Sequence, residues 1–354
     1  MKRHYFLLTA VVVATTLTYH PVTAAKPGAT SPTIVDLGQL GGGFSDAFGI
    51  NNDPNDVQVV GHSTRPDGFA HGFLWTAATG MIDLGSLGRS SFASDVNDHG
   101  VIAGRSEAGL REHWAVIWTR SSSGWAIQKL NPLVGTCCGS ANALNNGTGG
   151  DPSAIAVVGS SSVPSGGTSA VMWRMAATGW LIEDLGTLPG DMTSYAYGVN
   201  DSGTVVGVSI SSTQVNRAFR WTPSTGMVAL PGLGGNTRAV AIANNGDVAG
   251  TSIDAAGNSH AVRWRANDVG VEDLGTLGGC CSAGSGINSA GVVVGWSDVS
   301  KGGNQRAFLA RPGARMSEIG GPRGQSAARA LNDFGTIVGG IANGQYHAAI
   351  WKMP

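Results

Sequence analysis

The chain carries little charge, no helical periodicity, and no long apolar run beyond its first two dozen residues. Charged residues occupy 13% of its 354 positions, about half of the ~25% usual for a globular domain. Basic and acidic side chains nearly balance, at 22 against 23. That balance excludes the one-signed field with which nucleic acid or an anionic membrane is bound. No later segment approaches the eighteen apolar residues of a spanning helix. A Ser-His-Asp arrangement, a phosphate-cradling glycine motif and a helical His-x-x-x-His site are also missing. Neither a metal nor a cofactor is expected.

What the chain has is glycine and repetition. Its 55 glycines are roughly double the usual ~7% share. Seven imperfect copies of a unit of about 46 residues begin at Asp36, Asp83, Leu130, Asp184, Leu230, Asp273 and Ile319. The sixth copy reads Asp273-Leu-Gly-Thr-Leu-Gly-Gly, Gly286-Ile-Asn, Gly291-Val-Val-Val-Gly-Trp-Ser and Arg306-Ala-Phe-Leu. A fixed period of that size signals a repeat architecture.

The N-terminus reads as an export signal. Lys2 and Arg3 precede an apolar run from Phe6 to Thr18, and Val22-Thr-Ala24-Ala25 offers small-residue cleavage positions. Residues 1–25 are thus expected to be removed, leaving one domain over 26–354 with no membrane span. Removal leaves 20 basic against 23 acidic residues, a formal charge of −3. The expected location is extracellular, at the cell surface, or periplasmic.

Each copy contains four short β signals bounded by turn residues. In the fourth copy these are Tyr195–Val199, Thr204–Ser209, Arg217–Trp221 and Met227–Leu230. Asn-x-x-Gly recurs at Asn97–Gly100, Asn200–Gly203, Asn288–Gly291 and Asn332–Gly335, a pattern that suits a type I turn. Four strands per unit, repeated seven times, predict an all-β, seven-bladed β-propeller of antiparallel blades. The last copy stops on its third strand, while Thr33–Leu37 stands alone before the first copy. Joining the two would close the ring and remove its exposed edges.

These motifs resemble those of the bacterial extracellular HAF-repeat proteins over essentially the whole mature chain. The resemblance implies a secreted or surface-located repeat protein and brings no catalytic residues with it. The chain departs from the pattern at Leu130-Asn-Pro-Leu133, at Ala310 where Trp is expected, and at Ile319-Gly-Gly.

Candidate binding residues come from one ring position, the start of each third strand: His71, Trp114, Ser169, Arg217, His260, Arg306 and His347. His, Arg and Trp there suit a carboxylate-bearing or neutral sugar. The bland reading is that each side chain ties down its own blade, because a residue present in every repeat more often serves the repeat. Asp36, Asp83, Asp184 and Asp273 sit one per blade, which does not suit a glycosidase pair but suits an Asp bonding the backbone of the following loop. Asp53-Pro-Asn-Asp56 reads as a solvated insertion. Two adjacent pairs, Cys137-Cys138 and Cys280-Cys281, are expected to form vicinal disulfides in an exported chain. Adjacent Cα atoms at ~3.8 Å imply strain in such a bridge.

The function expected is a non-catalytic binding module for a glycan or a cell-envelope protein. The alternative is a carbohydrate-active hydrolase or lyase, which would place residues that break the repeat at the channel mouth. Arg105, Glu107, Arg111, Glu112 and His113 are the departures that draw notice.

Overall fold

The computed structural model describes residues 32–353, except 123, 134–137, 165, 178, 322 and 323. The expected export signal lies outside the described residues. Seven four-stranded antiparallel sheets form a β-propeller. The blades span 45–83, 91–129, 139–186, 191–229, 234–273 and 282–318, and the seventh combines 326–352 with Thr33–Asp36. In that last blade Thr33 lies opposite Lys352 and Asp36 opposite Ala349. The chain therefore closes its own ring with a strand from each end, as the truncated last copy predicts. First strands of neighbouring blades touch all the way round, so they are innermost.

A blade cannot bury its faces alone, and the core lies between blades. Phe73, Ala47 and Val59 of blade one pack on Val338, Ala348 and Ile350 of blade seven; the other interfaces repeat this pattern. Third-strand Trp118, Trp173, Trp264 and Trp351 are fully buried. Burying ~200 Å² of each ring contributes about 5 kcal/mol before ordering costs, at ~25 cal/mol per Å². Trp173 and Trp264 donate their indole N–H to the carbonyls of Asn131 and Pro231, both at 2.7 Å.

The repeated polar residues are joints. The buried serine of Val-Gly-x-Ser accepts the N–H of the leucine leading into the same blade: Ser209 from Leu188 at 3.0 Å, Ser297 from Leu277 at 2.9 Å. The serine that opens a first strand accepts an N–H from the previous blade's third strand, as Ser282 does from Ala261 at 2.8 Å. Leu133 keeps its bond to Ser161 at 3.0 Å, so the irregular third copy preserves this joint.

The Asn-x-x-Gly turns form a belt at one end of the axis. In the fourth blade Gly203 N–H donates to Asn200 O at 2.9 Å, with Gly203 at φ 76°. Five of the six turn asparagines also reach the next blade, Asn51 being the exception: Asn97 Nδ2 donates to Asn145 O at 3.0 Å, and Asn145 Nδ2 to Asn200 O at 3.0 Å. The following residue adds a second tie, as Asp98 Oδ1 accepts from Asn52 N–H at 2.6 Å. Only the fifth blade replaces the asparagine, with Ala243.

Candidate functional site: the axial cavity

All seven first strands carry the same defect. Pairing with the second strand skips one residue: Phe48, Ser94, Asn142, Tyr197, Val240, Ser285 and Arg329 in blades one to seven. Such a β-bulge leaves its extra residue unpaired and re-aims the side chain. The glycine of Val-Gly-x-Ser explains why it occurs everywhere. A Cβ at Gly207 would stand 2.0 Å from Tyr195 O, and one at Gly295 1.9 Å from Ala283 O. The bent first strand presses its carbonyl onto the second, and glycine alone leaves room.

All seven skipped residues line one cavity of about 520 Å³ on the axis, within the ~300–1,000 Å³ range of ligand sites. An apolar collar, including Ile50, Val199, Ile242, Ile287 and Leu331, separates it from a smaller vestibule of about 180 Å³ inside the asparagine belt. Residues flanking the bulge repeat, with Ala47, Ala93, Ala141, Ala196 and Ala239 all buried. The bulge column itself varies in every chemical respect. Here the sequence stops serving the blade.

The cavity wall is asymmetric. On one side Arg329 of blade seven donates to Asp46 of blade one at 3.0 Å and lies 5.5 Å from the Phe48 ring centroid. Burial pushes the Asp46 carboxyl up to about 6, against the pull of Arg329. Behind Phe48, His62 stacks at 5.3 Å and also meets Phe44 and Phe92. Burial, with Arg105 and Arg329 nearby, lowers His62 to about 4, so it is neutral at ordinary pH. On the other side Arg238 lies 4.2 Å from the Tyr197 ring centroid. Burial raises the Tyr197 phenol, which stays protonated. Asp95 accepts the N–H of Leu144 at 3.1 Å and of Val96 at 2.9 Å. The protein packed round it pushes its carboxyl up to about 7, although part of the side chain still faces the opening.

The ring of third-strand residues lies elsewhere, and none of it lines the cavity. His71 meets Asp83 at 2.8 Å, His260 meets Asp273 at 2.8 Å, and His347 meets Asp36 at 2.9 Å. Arg306 pairs with Glu318 at 2.7 Å and Arg217 with Asp191 at 2.6 Å. Trp114 donates to Glu112 at 2.8 Å and lies under Lys129 at 4.1 Å. Ser169 is buried. The other six side chains each have a partner within their own blade, and the structure does not gather the seven. The aspartates also hold their glycine loops, with Gly275 N–H donating to Asp273 at 2.8 Å.

The second blade's charges stay dispersed. Glu107 is 4.0 Å from Arg89, Arg105 lies over Phe92 at 4.5 Å, and His113 faces Glu107 across the hairpin. In the insertion, Asp53 accepts Asn55 N–H at 2.9 Å and Asn51 donates to Asp56 O at 2.8 Å.

The bridge expected between Cys280 and Cys281 is not formed. Both are thiols, with Sγ atoms 2.7 Å apart; closing the bond requires the strained geometry of adjacent Cα atoms. Cys280 Sγ lies 3.5 Å from an Asp298 oxygen, and the donor atoms of these three residues fall within 4.8 Å of one another. Cys137 lies outside the described residues. Cys138, at φ 88°, opens blade three at the place Cys281 holds in blade six.

No protein-family model and no curated protein matches the chain. Solved propellers do resemble it. A Mycobacterium tuberculosis puromycin-hydrolyzing peptidase aligns over 90% of this chain and 52% of its own, at 12% identity and TM-score 0.55. TolB from Acinetobacter baumannii aligns over 73% and 62%, at 11% identity and TM-score 0.48. The BP39L lectin from Burkholderia pseudomallei aligns over 92% and 99%, at 12% identity and TM-score 0.49. The chain spans only about half to two thirds of the first two, and at these identities the likeness concerns the fold alone.

Among the described residues, no helix is long and apolar enough to cross a membrane.

The bulge column was readable in the sequence. It lies three residues after a serine in five of the first strands, after Gly139 in blade three and after Thr237 in blade five, and aligning the seven copies shows it varying between small, repeated neighbours.

Proposed function

We propose that this is an exported binding module of the HAF-repeat type, acting at the cell surface or in the periplasm, and that it holds its ligand in the axial cavity. The single observation that carries this reading is the bulge column. Seven equivalent residues share one conformation and one cavity, yet differ as Phe, Ser, Asn, Tyr, Val, Ser and Arg. A position needed by the fold would repeat; a position that reads a ligand has reason to differ. The ligand favoured is the end or side group of a glycan, or an envelope component bearing one. The rims of the Phe48 and Tyr197 rings offer apolar contact, and Ser94, Asn142, Ser285 and Thr251 offer hydrogen bonds. Among the described residues Asp95 is the only carboxyl on the cavity wall, whereas glycoside hydrolysis usually needs two.

The test uses the purified mature protein and a panel of insoluble polysaccharides and cell-envelope preparations, scoring both retention and released saccharide. Ser285→Trp puts a large ring into the cavity at a position the fold does not constrain. Retention without release, lost in Ser285→Trp while the melting temperature holds, supports the reading. Retention untouched by Ser285→Trp moves binding out of the cavity. Released saccharide overturns the non-catalytic reading.

A further inference from the structure

The charges on the cavity wall narrow the ligand class. The wall contains two guanidiniums, Arg238 and Arg329, and one carboxyl, Asp95. Arg329 is already answered by Asp46 at 3.0 Å. Arg238 is exposed, and among the described residues it makes no ion pair. It belongs to blade five, and its counterparts in the other blades are Asp46, Phe92, Ser140, Tyr195, Ala283 and Ala327. The repeat therefore has no use for a cation at this place. The ordinary alternative is an arginine resting on Tyr197 for packing alone. Its guanidinium is hydrogen-bonded to the Tyr197 side chain and not to a carboxylate, and an arginine placed only for packing has no reason to stand at a cavity that already holds a second guanidinium.

From this arrangement we infer that the ligand is a carboxylate-bearing sugar ring, its acid group held by Arg238 and its ring seated against the edge of Tyr197. The inference rests on the axial cavity being the binding site. A guanidinium offers two parallel N–H donors that match a carboxylate. Its contact with the Tyr197 ring, at 4.2 Å, restrains the side chain before the ligand arrives, which lowers the ordering cost of binding. Tyr197 carries Arg238 over its ring at 4.2 Å and stacks with Tyr195 at 6.4 Å, so it meets the ligand with its edge and phenol, an apolar rim with a polar tip. Asn142 has its Nδ2 committed to Ala196 O at 2.8 Å, which leaves Oδ1 to accept from a ligand hydroxyl. Ser94, Ser285 and Thr251 can donate or accept. Burial raises Asp95 to about 7, so near neutral pH a large share of it is uncharged and does not cancel Arg238.

The experiment compares D-glucuronate with its methyl ester, which keeps the ring and removes the charge. Both are titrated calorimetrically into the mature protein and into Arg238→Gln at low ionic strength. The expected result is that glucuronate binds at least tenfold more tightly than the ester to the unaltered protein, and that Arg238→Gln abolishes this preference. Circular dichroism and melting should show Arg238→Gln folded, because the position is exposed. Equal binding of acid and ester would overturn the carboxylate inference and leave the cavity reading standing. A preference that survives in Arg238→Gln would overturn the assignment to Arg238. Binding of neither compound would overturn the inference, while the cavity itself is judged separately by Ser285→Trp in the polysaccharide panel.

Discussion

At the scale of single residues, the molecule divides between side chains that repeat and side chains that do not. The repeating ones have partners fixed by the blade. Ser297 is fully buried and accepts Leu277 N–H at 2.9 Å. Ser297→Ala should cost about 1–3 kcal/mol, because it leaves a buried N–H unsatisfied; chemical denaturation will measure it, and no change would show that the joint is dispensable. His62 gives a prediction of the opposite kind. Its folded pKa, about 4, lies below the ordinary 6.5, so between those values the unfolded chain binds the extra proton. Stability from this group is therefore present above pH 6.5 and lost as pH falls toward 4. His62→Phe should flatten the acid side of the stability curve by up to about one proton of slope, read from unfolding midpoints between pH 4 and 7. Parallel curves for the two proteins would show that His62 is not the group responsible.

At the scale of the element, the first strand with its bulge links the sequence to the site. Gly207→Ala would set a Cβ 2.0 Å from Tyr195 O. It should shift the bulge of blade four, move Tyr197, and destabilise by several kcal/mol, within the range of backbone overpacking. The cavity should then lose ligand before the fold is lost, checked by binding assays run well below the melting temperature. Four strands per copy, the closing strand at Thr33–Asp36 and the Asn-x-x-Gly turns were all legible, because each depends on local turn chemistry and alternation. The bulge was not legible as a bulge. Val-Gly-x-Ser reads as a plain strand, and the close approach that demands Gly207 comes from another strand. The ring of His71, His260 and His347 was legible as a column, and so was its bland reading; the structure gives each histidine an aspartate in its own blade. The cysteines make a related point, since adjacency in sequence brings the Cys280 and Cys281 sulfurs together without bonding them. Intact mass of the exported protein, with and without reduction and alkylation, will show whether oxidation closes that pair. The two free thiols predict that Cys280 and Cys281 both alkylate before reduction, and protection of both until reduction would contradict this.

At the scale of the whole molecule, the ring depends on its last joint. The strand Thr33–Asp36 covers the edge of Gln345–Lys352, and Leu37 is buried beside it. A chain beginning at Gly38 should melt at a markedly lower temperature and self-associate through that uncovered edge, read by calorimetry and light scattering; a monomer of unchanged stability would contradict the closure. The ring also fixes where a ligand can be read. Innermost strands turn an unpaired backbone edge toward the axis, and rim loops face outward. The most direct measurement is hydrogen–deuterium exchange of the mature protein with and without a saccharide that it retains. Binding in the axial cavity predicts slowed exchange in the first strands, above all in peptides containing Tyr197, Arg238 and Arg329. Protection confined to the rim, around His71, His260 and His347, would contradict it.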